Sequence, residues 1–145
     1  MNSLIERRGG MIDKVVGDAV HALFNAPEDL ENHIDVAIAC AREIRALTEE
    51  MRRRPAFSVV DFGRTRIGIE TGPAILGEVG LGGKLDYTAH GEAVNLAARL
   101  QEANKQHQTS ILIGPHAGER ARQPVRTIGT HEIRDYGALR LYTLD

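Results

Sequence analysis

The sequence predicts an α+β fold, and three observations carry that prediction. Apolar residues recur at steps of three and four from Leu30 to Met51 and again after Gly91, β-branched and aliphatic runs of strand length fill much of the remainder, and turns bearing Gly or Pro cut those runs into hairpin-sized pieces. Strands in hairpins mixed with two long helices suit a sheet with helices packed on one face. With no internal repeat, linker or low-complexity segment, residues 1–145 read as one domain, and 42% apolar residues suffice for a single core.

In order along the chain, "GGMIDKVVGDAVHALF" opens with a strand that places Ile12, Lys14 and Val16 on one face, breaks at Gly17 and Asp18, and resumes. Glycine at the first central position of a two-residue loop predicts a type II′ hairpin with Asp18 at its tip. From Leu30 to Met51 the residues Ile34, Ala37, Ala41, Ile44, Leu47 and Met51 form one helical stripe, and "MRRRP" ends it. That basic run reads as a solvated surface because no aromatic residue interleaves with it.

"TRIGIET" and "AILGEVG" are strand-like, separated by Gly72 and Pro73 and followed by the turn "LGGK", and read together as a second hairpin. The glycines near Lys84 do not make a phosphate-binding P-loop, which requires glycine where Glu78 stands and serine or threonine where Leu85 stands. They read as turn residues. "GEAVNLAARLQEANK" is a second helix starting near Gly91, with Ala93, Leu96, Ala97 and Leu100 inward and Asn95, Arg99 and Glu102 on another face. "SILIG" is a short buried strand, and the tail closes with two strands around a turn at Tyr136 and Gly137.

Composition narrows the function classes. A net charge of -2 offers no broad field for nucleic acid or an anionic membrane, so an anionic ligand has to be met by a few local cations. With no tryptophan, three phenylalanines and three tyrosines, an RNA-binding sheet lacks its stacking platforms. Cys40 is the one cysteine, which excludes an internal disulfide and suits a reducing compartment. No apolar run nears the length of a membrane span, and "MNSLIERRGG" lacks the apolar core of a signal peptide, so a cytoplasmic location without direct membrane contact is expected. The six histidines have neither the spacing nor the cysteine partners of a zinc site, and no G-x-S-x-G elbow is present. What remains is a set of hydrogen-bonding residues at strand ends, turns and one helix face: Lys14, Asp18, Thr88, Asn95, Arg99 and Arg134.

Two blocks, "GGMIDKVVGDAVHALFNAP" and "GIETGPAILGEVGLGGKLDYTAHGEAVNLAARL", resemble the signature blocks of class III adenylate and guanylate cyclase catalytic domains, bacterial adenylate cyclases in particular. The resemblance implies a ferredoxin-like α+β domain that dimerises and converts ATP to cyclic AMP and pyrophosphate with two Mg²⁺ or Mn²⁺ ions. It also implies an upstream sensory or regulatory domain in the full-length protein. By the same resemblance Asp18 is the second of the family's two metal aspartates, a hard ligand for a hard cation. Lys14 is the adenine-contacting lysine, a donor suited to the acceptor N1 of adenine, and Thr88 is the hydroxyl that pairs with it at the exocyclic amine. Asn95 and Arg99 are the helix pair that orients the ribose and stabilises charge on the α-phosphate. Arg134 falls where the family has a basic residue for the terminal phosphates, though "EIRDYGALRLY" matches that block loosely.

The family's first metal aspartate belongs to an opening strand upstream of the "GG-x-I-D-K" block, whereas ten residues precede Met11 here, and "DFG" at residues 61–63 stands in the wrong place to substitute. The chain is therefore expected to be the C-terminal portion of a cyclase domain with little activity alone. The alternative is a non-catalytic nucleotide-sensing or dimerisation domain derived from a cyclase. A diguanylate cyclase would show G-G-D-E-F, which is absent.

Overall fold

Every residue of β6 (Ile111–Ile113) is wholly buried, and this three-residue strand organises the molecule. A strand apolar on both faces has to be covered on both. Ile111 and Ile113 pack with Ile34, Ile38 and Ala41 of helix α2 (His33–Arg53), while Leu112 packs with Leu96, Leu100 and Ala103 of helix α3 (Glu92–His107). The two long helices thus cover opposite faces of the sheet around β6. The α+β class is as expected; the placement of the helices on a single face is not.

The computed structural model describes residues 1–26, 28–54, 64–81 and 84–144, with side chains omitted over 78–88. The "DFG" stretch and the glycine pair of the "LGGK" turn lie outside the described residues. A short helix α1 (Asn2–Arg7), which no apolar period in the sequence predicts, leads into β1 (Met11–Val16) and β2 (Ala19–Leu23). These form an antiparallel hairpin whose two-residue loop has Gly17 at φ +61° and Asp18 outside the positive-φ region, as a type II′ turn requires.

The expected alternation in β1 is interrupted, because the register shifts between Ile12 and Lys14 and leaves Asp13 as a bulge. Ile12, opposite Ala22, joins the cluster of Ile5, Cys40 and Ile44, whereas Lys14 and Val16 stand opposite His21 and Ala19 on the other face. The single face predicted for Ile12, Lys14 and Val16 is therefore split by one inserted residue.

Strand β3 (Ile67–Ile69) is not half of a hairpin with the next strand. It pairs in parallel with β6, while β4 (Ile75–Leu81) pairs antiparallel with β5 (Lys84–His90). Gly68 explains the separation. A Cβ there would overlap the Ala97 carbonyl oxygen, so glycine lets α3 lie directly on β3 and draws it into the central sheet. That sheet has the order β3-β6-β8-β7, closed by β7 (Arg126–Ile133) and β8 (Gly137–Thr143), and so mixes one parallel pair with antiparallel ones.

The helices follow their apolar periods with small offsets. In α2 the buried stripe is Ile34, Ile38, Ala41, Ile44 and Thr48. Leu47 stays exposed, and the Thr48 hydroxyl satisfies itself on the Ile44 carbonyl at 2.9 Å. In α3 the stripe runs Leu96, Leu100, Ala103 and Asn104, and Asn104 Nδ2 donates to the Ile67 carbonyl at 3.0 Å, tying helix to strand. A further helix, α4 (Pro115–Arg120), is held by Glu70, whose side chain is almost wholly buried and whose Oε1 accepts from the backbone N–H of Thr71 and Ala117 at 2.9 and 2.8 Å. Among the described residues no helix is long and apolar enough to cross a membrane.

Candidate functional site

The six expected site residues sit on two separate supports. The β1–β2 hairpin carries Lys14 on its strand and Asp18 at its tip, both exposed, and β1 packs beside β5, the strand that carries Thr88. Thr88 stands opposite Gly77 in the β4–β5 register; its side chain is outside the described set. A strand lysine with a turn carboxylate four residues on puts a cation and an anion at one exposed end of a rigid ladder. Val15 and Val16, 57% and 58% exposed, flank them and give that end an apolar surface as well.

The second support is α3 with the β7–β8 turn. Asn95 and Arg99, one helical turn apart, share a face, with Asn95 exposed and Arg99 partly covered. Arg134 lies in the turn after β7, not inside a strand, and is exposed. The turn reaches the helix through its next two residues. Asp135 Oδ2 accepts from Arg99 Nη2 at 3.1 Å, and Glu102 Oε2 accepts from Arg99 Nη1 at 3.3 Å. Tyr136 lies near Glu92 in the first turn of α3, and burial followed by the Glu92 carboxylate pushes its phenol above the ordinary tyrosine range. Asp135, Tyr136 and Glu92 did not emerge from the sequence as site residues. Their signal is three-dimensional, a contact across 36 positions between Arg99 and Asp135.

No hydrogen bond or ion pair joins the hairpin pair to the helix pair among the described residues. A cavity of about 460 Å³ at the other end of α3 is lined by Arg64, Arg66, Asn104, Lys105, Gln108 and Thr109 and includes none of the six. Metal ligation has a similarly open character. Among the described residues no three His, Cys, Asp or Glu side chains gather as a ligand cluster. Asp18 fits a hard cation that retains waters and takes its other oxygens from a phosphate ligand; a two-ion cage made by these residues alone does not fit.

Comparison with known proteins gives this arrangement a context. Residues 1–130 match the family model described as the adenylate and guanylate cyclase catalytic domain. Adenylate cyclase 1 of Rhizobium meliloti is 37% identical over 111 residues, which cover 77% of this chain and 17% of that protein. An adenylate cyclase of Anabaena cylindrica is 32% identical over 78% of this chain and 22% of its own length. The chain thus spans less than a quarter of either relative. Among solved structures, the adenylyl cyclase CyaB from P. aeruginosa superposes with a TM-score of 0.83 at 25% identity, covering 99% of this chain and 76% of that one. The guanylyl cyclase Cya2 superposes at 0.77 with 26% identity, covering 97% and 72%.

Proposed function

The chain belongs to the adenylate and guanylate cyclase catalytic domain family, and from that premise we propose that it takes part in converting ATP to cyclic AMP and pyrophosphate at sites shared across a two-fold dimer. The observation that supports the reading is that Lys14 and Asp18, opposite in charge, both stand exposed on one hairpin, and that among the described residues neither bonds to Asn95 or Arg99 on α3. Such a set can converge on one ligand when a second copy presents its own half, and an isologous interface does this twice. Val15, Val16 and Ile75, the last 75% exposed, supply apolar surface for that contact.

In the reaction the 3′ hydroxyl of the ribose bonds to the α-phosphorus, the bond to the bridging oxygen of the β-phosphate breaks, pyrophosphate leaves, and the hydroxyl proton is released. Asn95 orients the ribose, and the Arg99 fork meets the charge that builds on the α-phosphate oxygens. Lys14 donates to adenine N1 and the Thr88 hydroxyl accepts from the exocyclic amine; guanine presents N1–H to Lys14, donor against donor. Arg134 contacts the terminal phosphates. Asp18 would hold Mg²⁺ or Mn²⁺ jointly with those phosphates, and the ion when bound neutralises their charge. A cytoplasmic location and an upstream sensory domain accompany the reading, the site being open to a diffusible nucleotide.

The second reading is a nucleotide-sensing or dimerisation domain without turnover, in which the same residues bind the nucleotide and release it unchanged. The two separate in an assay of the 145-residue chain and of the same chain joined ahead of Met1 to the family's opening strand with its aspartate. We expect little cyclic AMP from the first, clear Mn²⁺-dependent cyclic AMP from the second, and at least about tenfold preference for ATP over GTP, since an unpaired buried polar edge costs about 1 to 3 kcal/mol. Nucleotide binding by the extended chain with no product would favour the sensing domain; equal turnover of ATP and GTP would remove the adenine assignment.

A further inference from the structure

The geometry points to Asp135 as a positioning residue that holds the Arg99 guanidinium until the phosphates of the nucleotide displace it, and so sets the affinity of the site for its substrate. The inference rests on the cyclase reading for Arg99 but concerns a residue that the family resemblance did not bring forward. Arg99 has two terminal nitrogens with which to grip an anion, and both are engaged, Nη2 by Asp135 at 3.1 Å and Nη1 by Glu102 at 3.3 Å. The fork expected to meet an α-phosphate is therefore turned onto two carboxylates. Their negative charge stands at the position where the negative charge of the ligand has to arrive.

The contact is placed by the fold. Asp135 occupies the β7–β8 turn at φ +73°, a left-handed conformation that aspartate tolerates better than most side chains, with Gly137 at +76° completing the reversal. The turn is fastened to α3 by that bond to Arg99, and the neighbouring Tyr136 lies near Glu92 of the same helix. Arg134, the cation assigned to the terminal phosphates, precedes Asp135 on this turn. The one segment thus presents a cation to the nucleotide and an anion to Arg99.

The exchange is cheap. The side chains of Asp135 and Glu102 are each 62% exposed and that of Arg99 32%, and ion pairs of this exposure are weak in water. A phosphate group with more charge and a bidentate match to the fork outcompetes a single exposed carboxylate. Binding then pays only the fraction of time that Arg99 spends on Asp135, which lowers apparent affinity by that fraction.

A double-mutant cycle on the 145-residue chain tests this, with α,β-methylene-ATP, which cannot be cyclised, titrated by calorimetry in the presence of Mn²⁺. Asp135→Asn keeps a residue that accepts the left-handed turn, and Asp135→Gly provides a second variant of the same kind. Both are expected to bind the analogue about twofold to fivefold more tightly than the parent, the range that weak exposed ion pairs convert to. In an Arg99→Ala background, itself weaker by tenfold or more, that gain should vanish. Unchanged or weaker binding by both Asp135 variants, with Arg99→Ala still defective, overturns the inference and leaves the cyclase reading in place. Equal binding by the parent and Arg99→Ala overturns the role of Arg99, and the inference with it.

Discussion

At Gly68 the requirement is for the absence of a side chain. The positions nearest to a Cβ there are the Ala97 carbonyl oxygen, the Gln101 N–H at 2.5 Å and the Leu100 Cβ at 3.0 Å, all on α3, and a backbone neighbour cannot swing aside as a flexible side chain can. Gly68→Ala is therefore expected to push α3 off β3 and to destabilise the chain by about 2 to 3 kcal/mol, at the upper part of the range for overpacking. Urea unfolding measures it, and a midpoint unchanged from the parent would show that the helix can move away without loss. This residue read from sequence simply as part of a strand, since the reason for glycine lies on a helix about thirty positions later. The residues of the candidate site divide in the same way. Lys14, Asp18, Asn95 and Arg99 came forward only through the resemblance of the two blocks that contain them to the cyclase signature blocks, since singly each residue type reads as an ordinary turn, strand or helix residue. Asp135 did not come forward, because its role depends on a turn that folds back onto Arg99, and the bulge at Asp13 was hidden because alternation carries no sign of one extra residue.

Helix α3 was legible as an element from its period, and its own local sequence accounts for the exposed face that bears Asn95 and Arg99. Which sheet face it covers was not, since Leu112 and its neighbours Ile111 and Ile113 are equally apolar and nothing local says that they part company. Likewise the parallel pairing of β3 with β6 spans the whole β4–β5–α3 crossover, and a hairpin between adjacent runs was the simpler expectation. The far end of α3 also touches β7 through His107 and His131, whose rings meet edge to face with centroids 4.6 Å apart. Burial, and then the neighbouring His131, hold the His107 pKa below the usual histidine value. An unfolded histidine titrates at about 6.5, so on acidification the unfolded chain binds this proton first. The contribution of His107 is thus complete above that pH and is lost as the pH falls through its lower folded value. Urea midpoints should decline from pH 7.5 to 5.5 in the parent and decline less in His107→Gln; identical declines would assign the acid sensitivity to other groups.

For the whole molecule, the β1–β2 hairpin places the opposite charges of Lys14 and Asp18 close in sequence and both exposed, and the shared-site proposal gives each a separate task. On the proposed shared-site reading of a two-fold dimer, Asp18 serves the metal of one site while Lys14, Thr88, Asn95 and Arg99 of the same chain serve the other. The most direct measurement is therefore complementation in the chain extended by the family's opening strand. Asp18→Asn and Arg99→Ala homodimers should each be nearly inactive, whereas a mixed dimer gathers both lesions in one site and leaves the other whole. Random mixing makes about half the dimers mixed, so about a quarter of the parent rate of cyclic AMP formation is expected if the sites act independently. No recovery in the mixture, with exchange of chains verified by a tag on one partner, would contradict the shared site and require all of these residues to serve a pocket within one protomer.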